Sequence, residues 1–384
     1  MSAPPFELLA RDPGSGARRG RIHTAHGPVD TPAFMPVGTR GAVRAMAPDR
    51  LRAAGVQMVL ANTYHLHLRP GAELVAAAGG LHTFMRWPAP LLTDSGGYQV
   101  FSLNRLRRVD EDGVHFRSHI DGRPLFLGPR ESMRIQGFLG ADIAMVFDEC
   151  TPYPCDRDYA AQSMRRSLRW AAACREAERP QGQLLFGIVQ GGLYPELRAE
   201  SAAALVAAGF DGYGIGGLSV GEPIDELYRG LEMSIAGLPA DRPRYSMGSG
   251  TPLQIVESVA RGADLFDCVL PTRLARNGSA YTAEGVVPIK AARCRASSEA
   301  IEPGCGCYAC QTGFSRAYIR HLLNVNEILA FELLTLHNLH FYMQLMRRIR
   351  AAIEAGQFAC LRREFAARYQ DRTTRARAAG ESPC

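Results

Sequence analysis

A carboxylate set inside an apolar run is the first residue of this chain that asks for a chemical explanation. Asp267 interrupts LFDCVL at 265–270, a buried-strand pattern, and Pro271, Arg273 and Arg276 follow at turn positions. An acid is not buried without a partner or a reaction. Asp267 therefore reads either as an ion-pair partner of Arg273 or as a nucleophile beside two guanidinium groups suited to phosphate and base edges. Asp94 in PLLTDSGG, Asp148 in DIAMVFDE and Gln190 in LLFGIVQGG close similar apolar runs. Two carboxylates sharing one pocket can divide nucleophilic and proton-transfer work, as in a glycoside hydrolase.

A second chemistry lies downstream. Cys305, Cys307 and Cys310 form a C-x-C-x2-C knuckle, and His337 follows inside a long helical pattern, Glu327 to Ala355, with His321 and His340 as alternative fourth ligands. Three thiolates and an imidazole fill a tetrahedral zinc shell and leave no open position, so the expected Zn2+ is structural. The other seven of the ten cysteines are scattered, and read as small core residues or exposed bystanders.

The elements that position the acids follow from the alternation of apolar runs and helical patterns. The runs AFMPVGT, VQMVLANT, PLLTDSGG, DIAMVFDE, LLFGIVQGG, YGIGGLS, RYSMGSG and LFDCVLPT alternate with helix-like segments such as Asp156–Ala177, Pro195–Ala208 and Pro252–Arg261. Thr251-Pro252-Leu253-Gln254 has the spacing of a capping box with proline at the first helical position. Crossover helices imply parallel strands, and eight such units predict an α/β chain with a (β/α)8 TIM barrel, an open doubly wound sheet being the alternative. The C-terminal strand ends then face one mouth: Thr39, Asn62, Asp94, Asp148, Gln190, Gly216 with Gly217, Met247 with Gly248, and Asp267. Three carboxylates, an amide and close-approach glycines suit a small polar ligand with N–H donors, such as a purine-like base. The expected division is N-terminal strands or lid at 1–33, the barrel at 34–292 with an insert near 101–128, and a zinc-binding helical subdomain at 293–384. Hairpin signals at Asp112-Gly113 and Asp121-Gly122 mark the insert, and Arg105, Arg107 and Arg108 at its start read either as a solvated face or as a contact surface for an anionic partner. The tail from Arg362 to Cys384 reads as basic and frayed.

Composition narrows the classes. No run of about 18 apolar residues exists to span a bilayer, and the first residues lack the apolar core of a signal peptide, which predicts a cytoplasmic protein. The net charge is +6, and Lys290 is the only lysine, so the positive charge sits on arginine and a Schiff-base mechanism would rest on one residue.

Together the motifs LTDSGGYQ (92–99), FDECTPYP (147–154), GIVQGG (187–192), IGGLSVGE (215–222), LFDCVLPTRLARNG (265–278) and CGCYAC with SRAYIRHLL and LHN resemble the bacterial tRNA-guanine transglycosylases, over nearly the whole chain. The resemblance implies exchange of guanine at the anticodon wobble position of tRNA for 7-aminomethyl-7-deazaguanine, in queuosine biosynthesis, through a covalent enzyme–tRNA intermediate. It makes Asp267 the nucleophile and Asp94 the proton acceptor and donor. Asp148, Gln190, Gly216, Gly217, Leu218 and Gly248 bind the base, Tyr98 and Met247 sandwich it, and Arg273 and Arg276 contact tRNA. Cys305, Cys307, Cys310 and His337 hold the zinc, and the chain forms a homodimer. Val220 matches a branched side chain that limits room for a bulky substituent, which favours 7-aminomethyl-7-deazaguanine over queuine. A non-catalytic tRNA-binding relative would not need both Asp94 and Asp267. Two departures stand out: Ser249 replaces a small apolar residue, and Gln311–Phe314 holds one residue more than the family pattern.

Overall fold

The computed structural model describes residues 4–103 and 107–369. Eight parallel strands close into a barrel: β1 (Ala33–Gly38), β2 (Val59–Ala61), β3 (Leu91–Thr93), β4 (Ile143–Met145), β5 (Leu184–Val189), β6 (Gly212–Ile215), β7 (Arg244–Ser246) and β8 (Leu265–Cys268). Each pairs with its neighbour in sequence, and β8 returns to β1 through Leu265 opposite Ala33 and Asp267 opposite Met35. All eight apolar runs named above supply these strands. Several are buried along their whole length, as expected of strands covered by helices outside and by packed side chains within. The helix Pro252–Ala260 opens with the capping box read from the sequence, Thr251 accepting from Gln254 N–H.

The start of the chain is a three-stranded antiparallel sheet, Phe6–Arg11, Arg18–Thr24 and Gly27–Thr31. The last two of these strands turn at Ala25-His26, and all three lie within the N-terminal stretch expected to hold strands or a lid. Two acids that precede barrel strands fasten this sheet to the N-terminal end of the barrel. Asp264 accepts from Arg18 Nε at 2.9 Å and from Arg244 N–H at 2.7 Å. Asp142 accepts from the N–H groups of His26 and Leu91 at 3.0 and 2.8 Å, and lies 2.9 and 3.0 Å from His26 Nδ1 and His82 Nε2. These bonds close the end of the barrel opposite the strand ends that carry Asp94 and Asp267.

The insert after β3 is a second antiparallel sheet, Arg107–Val109, Val114–Arg117 and Pro124–Leu127, with its turns at the two Asp-Gly pairs. Arg108 lies 3.7 Å from Asp110, Arg107 stands over the Phe101 ring, and Arg105 lies outside the described residues. Beyond β8 come a short hairpin, Ser279–Thr282 and Gly285–Pro288, and the helices Arg316–Asn324, Ile328–Glu354 and Phe358–Arg368. The first part of the tail expected to fray is thus helical, because Phe358 and Phe365 are buried against the core; residues 370–384 lie outside the described ones. Among the described residues no helix is long and apolar enough to cross a membrane.

Candidate active site

The C-terminal strand ends open into a cavity of about 460 Å³. Every strand-end residue named from the sequence lines it: Thr39, Asn62, Asp94, Asp148, Gln190, Gly216, Gly217, Met247, Gly248 and Asp267, together with Tyr98, Leu218, Val220 and Arg273. The barrel brings these together because the C-terminal ends of its strands, with the loops that follow them, converge on one mouth.

The acids differ in environment. Asp267 Oδ1 accepts from Tyr245 OH at 2.6 Å and from Gly248 N–H at 2.8 Å, so Oδ2 keeps its lone pairs for the cavity. Burial pushes its carboxyl above the usual range, while these two donors pull it back towards the ionised form. Arg273 makes no bond to it, which removes the ion-pair reading of this acid. Asp94 Oδ1 accepts from Thr63 and Gly96 N–H at 2.9 and 3.1 Å, and Oδ2 from the Asn62 amide. Burial nevertheless pushes Asp94 up to about 7, and the charge of Asp267 adds to the rise. A carboxyl near neutrality can give and take a proton at working pH. Asp148 is pushed by burial to about 6 while accepting from Gln190 Nε2 at 2.7 Å.

Gln190 is 1% exposed, and its Oε1 is buried without a hydrogen-bond partner. A buried, orphaned amide oxygen on a cavity wall suits an N–H donor from a ligand. Beside it the backbone comes close: a Cβ on Gly216 or Gly217 would stand 2.6 Å from the Gln190 amide, and Gly217 has φ +66°. The next peptide is fixed by Glu222, whose carboxylate accepts from the N–H groups of Ser219 at 2.5 Å and Val220 at 2.9 Å. A trans peptide points its two ends in opposite directions, so the Leu218 carbonyl is held away from Glu222. Ser249, the first departure from the family pattern, is buried with its hydroxyl 2.9 Å from Ser246 Oγ and 3.4 Å from Ser219 Oγ. It is a satisfied polar contact behind the site.

Arg273 and Arg276 lie on the helix Leu270–Arg276, one turn apart. Arg273 reaches the cavity rim. Arg276 does not line the cavity; its Nη1 donates to Thr272 O at 2.8 Å. Arg44 and Arg273 are near enough that their charges, after burial, hold the Arg276 guanidinium below its usual value, and none of the three makes an ion pair among the described residues. Three adjacent guanidinium groups without acids form a landing place for an anion at the mouth.

Away from the mouth, Cys305, Cys307 and Cys310 Sγ lie 3.7, 3.4 and 3.5 Å from His337 Nδ1, and the four ligand atoms are all within 4.8 Å of one another. Bond lengths for tetrahedral zinc place thiolate sulfur and imidazole nitrogen about 3.5 Å apart, so the residues fit that ion. His337 Nε2 lies 2.7 Å from the Tyr281 carbonyl, the outer contact that fixes a ligating ring. Between the knuckle and the helix Arg316–Asn324, Gly313 has φ +81°.

With this geometry in place, comparison with known sequences is decisive. A profile of the family described as Queuine tRNA-ribosyltransferase matches residues 12–371. The chain belongs to the queuine tRNA-ribosyltransferase family. Proteins of that name from Symbiobacterium thermophilum and Pelotomaculum thermopropionicum are each 53% identical to it, over 98% and 95% of this chain and 95% and 98% of their own lengths. The one from Stenotrophomonas maltophilia is 55% identical over 95% of this chain and 97% of its own length. Within the frame of a queuine tRNA-ribosyltransferase, sequence reasoning passed over Tyr245 and Glu222 and gave Asn62 no role. Glu222 carried a signal in its position three residues after Ser219. Tyr245 carried none, since its contact to Asp267 exists only across neighbouring strands.

Proposed function

We propose that the protein is a tRNA-guanine transglycosylase that replaces guanine at the wobble position of tRNA with 7-aminomethyl-7-deazaguanine, by two displacements at the same carbon. In the first, Asp267 Oδ2 attacks ribose C1′, the C1′–N9 bond breaks with its electron pair on the base, and Asp94 supplies the proton that the departing guanine takes up. In the second, the incoming base loses its N9 proton to Asp94, N9 bonds to C1′, and the ester to Asp267 breaks. One carboxylate held by donors and another raised to about 7 in the same cavity is the observation that carries this reading.

The remaining groups match a guanine-like edge. Asp148 and the orphaned Gln190 Oε1 accept from base N–H groups, the Gly217 N–H donates to the base carbonyl, and the Leu218 carbonyl accepts from the aminomethyl arm. Tyr98 and Met247 sandwich the extruded ring, as its lost stacking requires. Val220 and Gly217 form a wall shared with a neighbouring cavity of about 270 Å³, and the branched Val220 side chain favours 7-aminomethyl-7-deazaguanine over queuine. Arg273 and Arg276 hold the nucleotides beside the target. The Cys3His cluster holds one structural Zn2+. Exposed apolar residues at Tyr308, Tyr318, Val325, Ile328 and Leu329 supply the face of a homodimer, and a tRNA substrate places the enzyme in the cytoplasm.

Incubation with unmodified tRNA and labelled guanine tests the core reading: label should enter tRNA, and unlabelled tRNA would sink it. Equal incorporation of queuine and 7-aminomethyl-7-deazaguanine in competition would overturn the Val220 argument, and a monomer mass by light scattering at micromolar concentration would overturn the dimer.

A further inference from the structure

The Gly216–Gly217 peptide at the cavity wall is backed by a buried cation. Arg198, on the helix Pro195–Ala208, is 0% exposed. It donates from Nε to Gly192 O at 2.6 Å, from Nη1 to Ser234 Oγ at 2.9 Å and from Nη2 to Gly216 O at 3.2 Å. All its partners are neutral. Burial pushes the guanidinium down to about 10, with the charges of Glu222 and Cys150 acting the other way, so it stays protonated at neutral pH. Burying a cation without a carboxylate is unfavourable, and an apolar side chain of similar length would fill the same space without that penalty. The arrangement therefore calls for something the charge does.

A peptide's carbonyl and N–H share one conjugated group, so a donor on the oxygen strengthens the N–H as a donor in its turn. The N–H conjugated with the Gly216 carbonyl is that of Gly217. Gly217 and Cys150 both line the cavity, and the Cys150 thiol donates to Thr151 O at 3.8 Å. The absence of side chains on Gly216 and Gly217 lets the Gln190 amide close over the same peptide.

We propose that Arg198 is a positioning residue for base recognition: it holds the Gly216 carbonyl and polarises the Gly216–Gly217 peptide, so that the Gly217 N–H binds the C6 carbonyl oxygen of a guanine-type base. The bond strengthens as negative charge gathers on the oxygen of a departing base, which is the moment an oriented donor helps most. This rests on the base-exchange reading above.

The test compares guanine with 2-aminopurine, which lacks the C6 oxygen and the N1–H that accompanies it, in binding to wild-type enzyme and to Arg198→Met. Binding of 2-aminopurine is followed by its fluorescence and guanine is measured by competition. Arg198→Met should weaken guanine about tenfold and 2-aminopurine by about twofold or less. Equal weakening of the two bases overturns the proposal, because a merely structural role would not distinguish them. If Arg198→Met shows no cooperative melt, Arg198→Lys decides: it keeps the charge and loses the fork, and guanine should still lose at least about threefold more than 2-aminopurine. Equal losses there also overturn it. Wild-type enzyme that fails to exchange labelled guanine into tRNA would remove the underlying reading instead, whatever the ratio between the two bases.

Discussion

At the scale of single residues the site works by giving similar acids different surroundings. Asp267 and Asp94 are both carboxylates at strand ends, and the proposed separation into nucleophile and proton carrier rests on their different donors. The rise of Asp94 to about 7 has a consequence for stability with a definite sign. Between the unfolded carboxyl value and about 7 the folded protein binds a proton that the unfolded chain does not, so this group destabilises the fold increasingly as pH rises through that window. Asp94→Asn removes the effect. The variant should therefore melt higher than wild type at pH 8, by the equivalent of roughly 2 kcal/mol, and gain little at pH 4. It should also lose turnover while keeping tRNA affinity. Melting curves at the two pH values check the first part, and a gain no larger at pH 8 than at pH 4 would contradict it.

At the scale of elements, the helix Ile328–Glu354, which carries His337, is a buttress for the segment that follows Asp267. His337 is a zinc ligand in this account, and the next residue, Asn338, donates to Pro271 O at 2.9 Å and accepts from Tyr281 N–H at 2.8 Å, while Tyr342 OH donates to Gly250 O at 2.5 Å. Metal loss would thus loosen the strand β8 loop without touching Asp267 itself. His337→Ala should lower bound zinc from about one equivalent per chain to near none, and lower the melting temperature, before it changes the chemistry of whatever enzyme remains folded. Elemental analysis alongside calorimetry measures both, and unchanged zinc content would move the ligand assignment elsewhere. The eight barrel strands and the knuckle were legible because each is a local pattern, an apolar run ending in a polar residue or three cysteines at fixed spacing. The helices Thr63–Leu68, Ala72–Ala77 and Gly80–Met85 were not, since they are one to two turns long, and glycines stand before the last two and open the third. Arg198 was illegible for a different reason: PELRAE reads as a solvated helix start, and only the tertiary fold turns that arginine inward.

At the scale of the whole molecule, the barrel has one closed end and one working end. Asp142 and Asp264 bind the N-terminal sheet at the first, and the acids and the Arg44, Arg273 and Arg276 cluster stand at the second. A polyanion approaching the second end meets guanidinium groups that make no ion pair among the described residues. Arg273→Ala should weaken tRNA binding while leaving free-base binding within about twofold, and it should reduce the slope of log affinity against log salt by about one. A slope identical to wild type would return Arg273 to a structural role.

The assignment on which everything else depends is that Asp267, and not Asp94, bonds to the ribose. The most direct measurement is to trap the enzyme–tRNA adduct, separate it by denaturing electrophoresis, and map the modified peptide by mass spectrometry. Attachment should fall on Asp267 within 265–276, and Asp267→Asn should give no adduct and essentially no exchange, because an amide is a poor nucleophile. An adduct on Asp94, or full exchange by Asp267→Asn, would contradict the account.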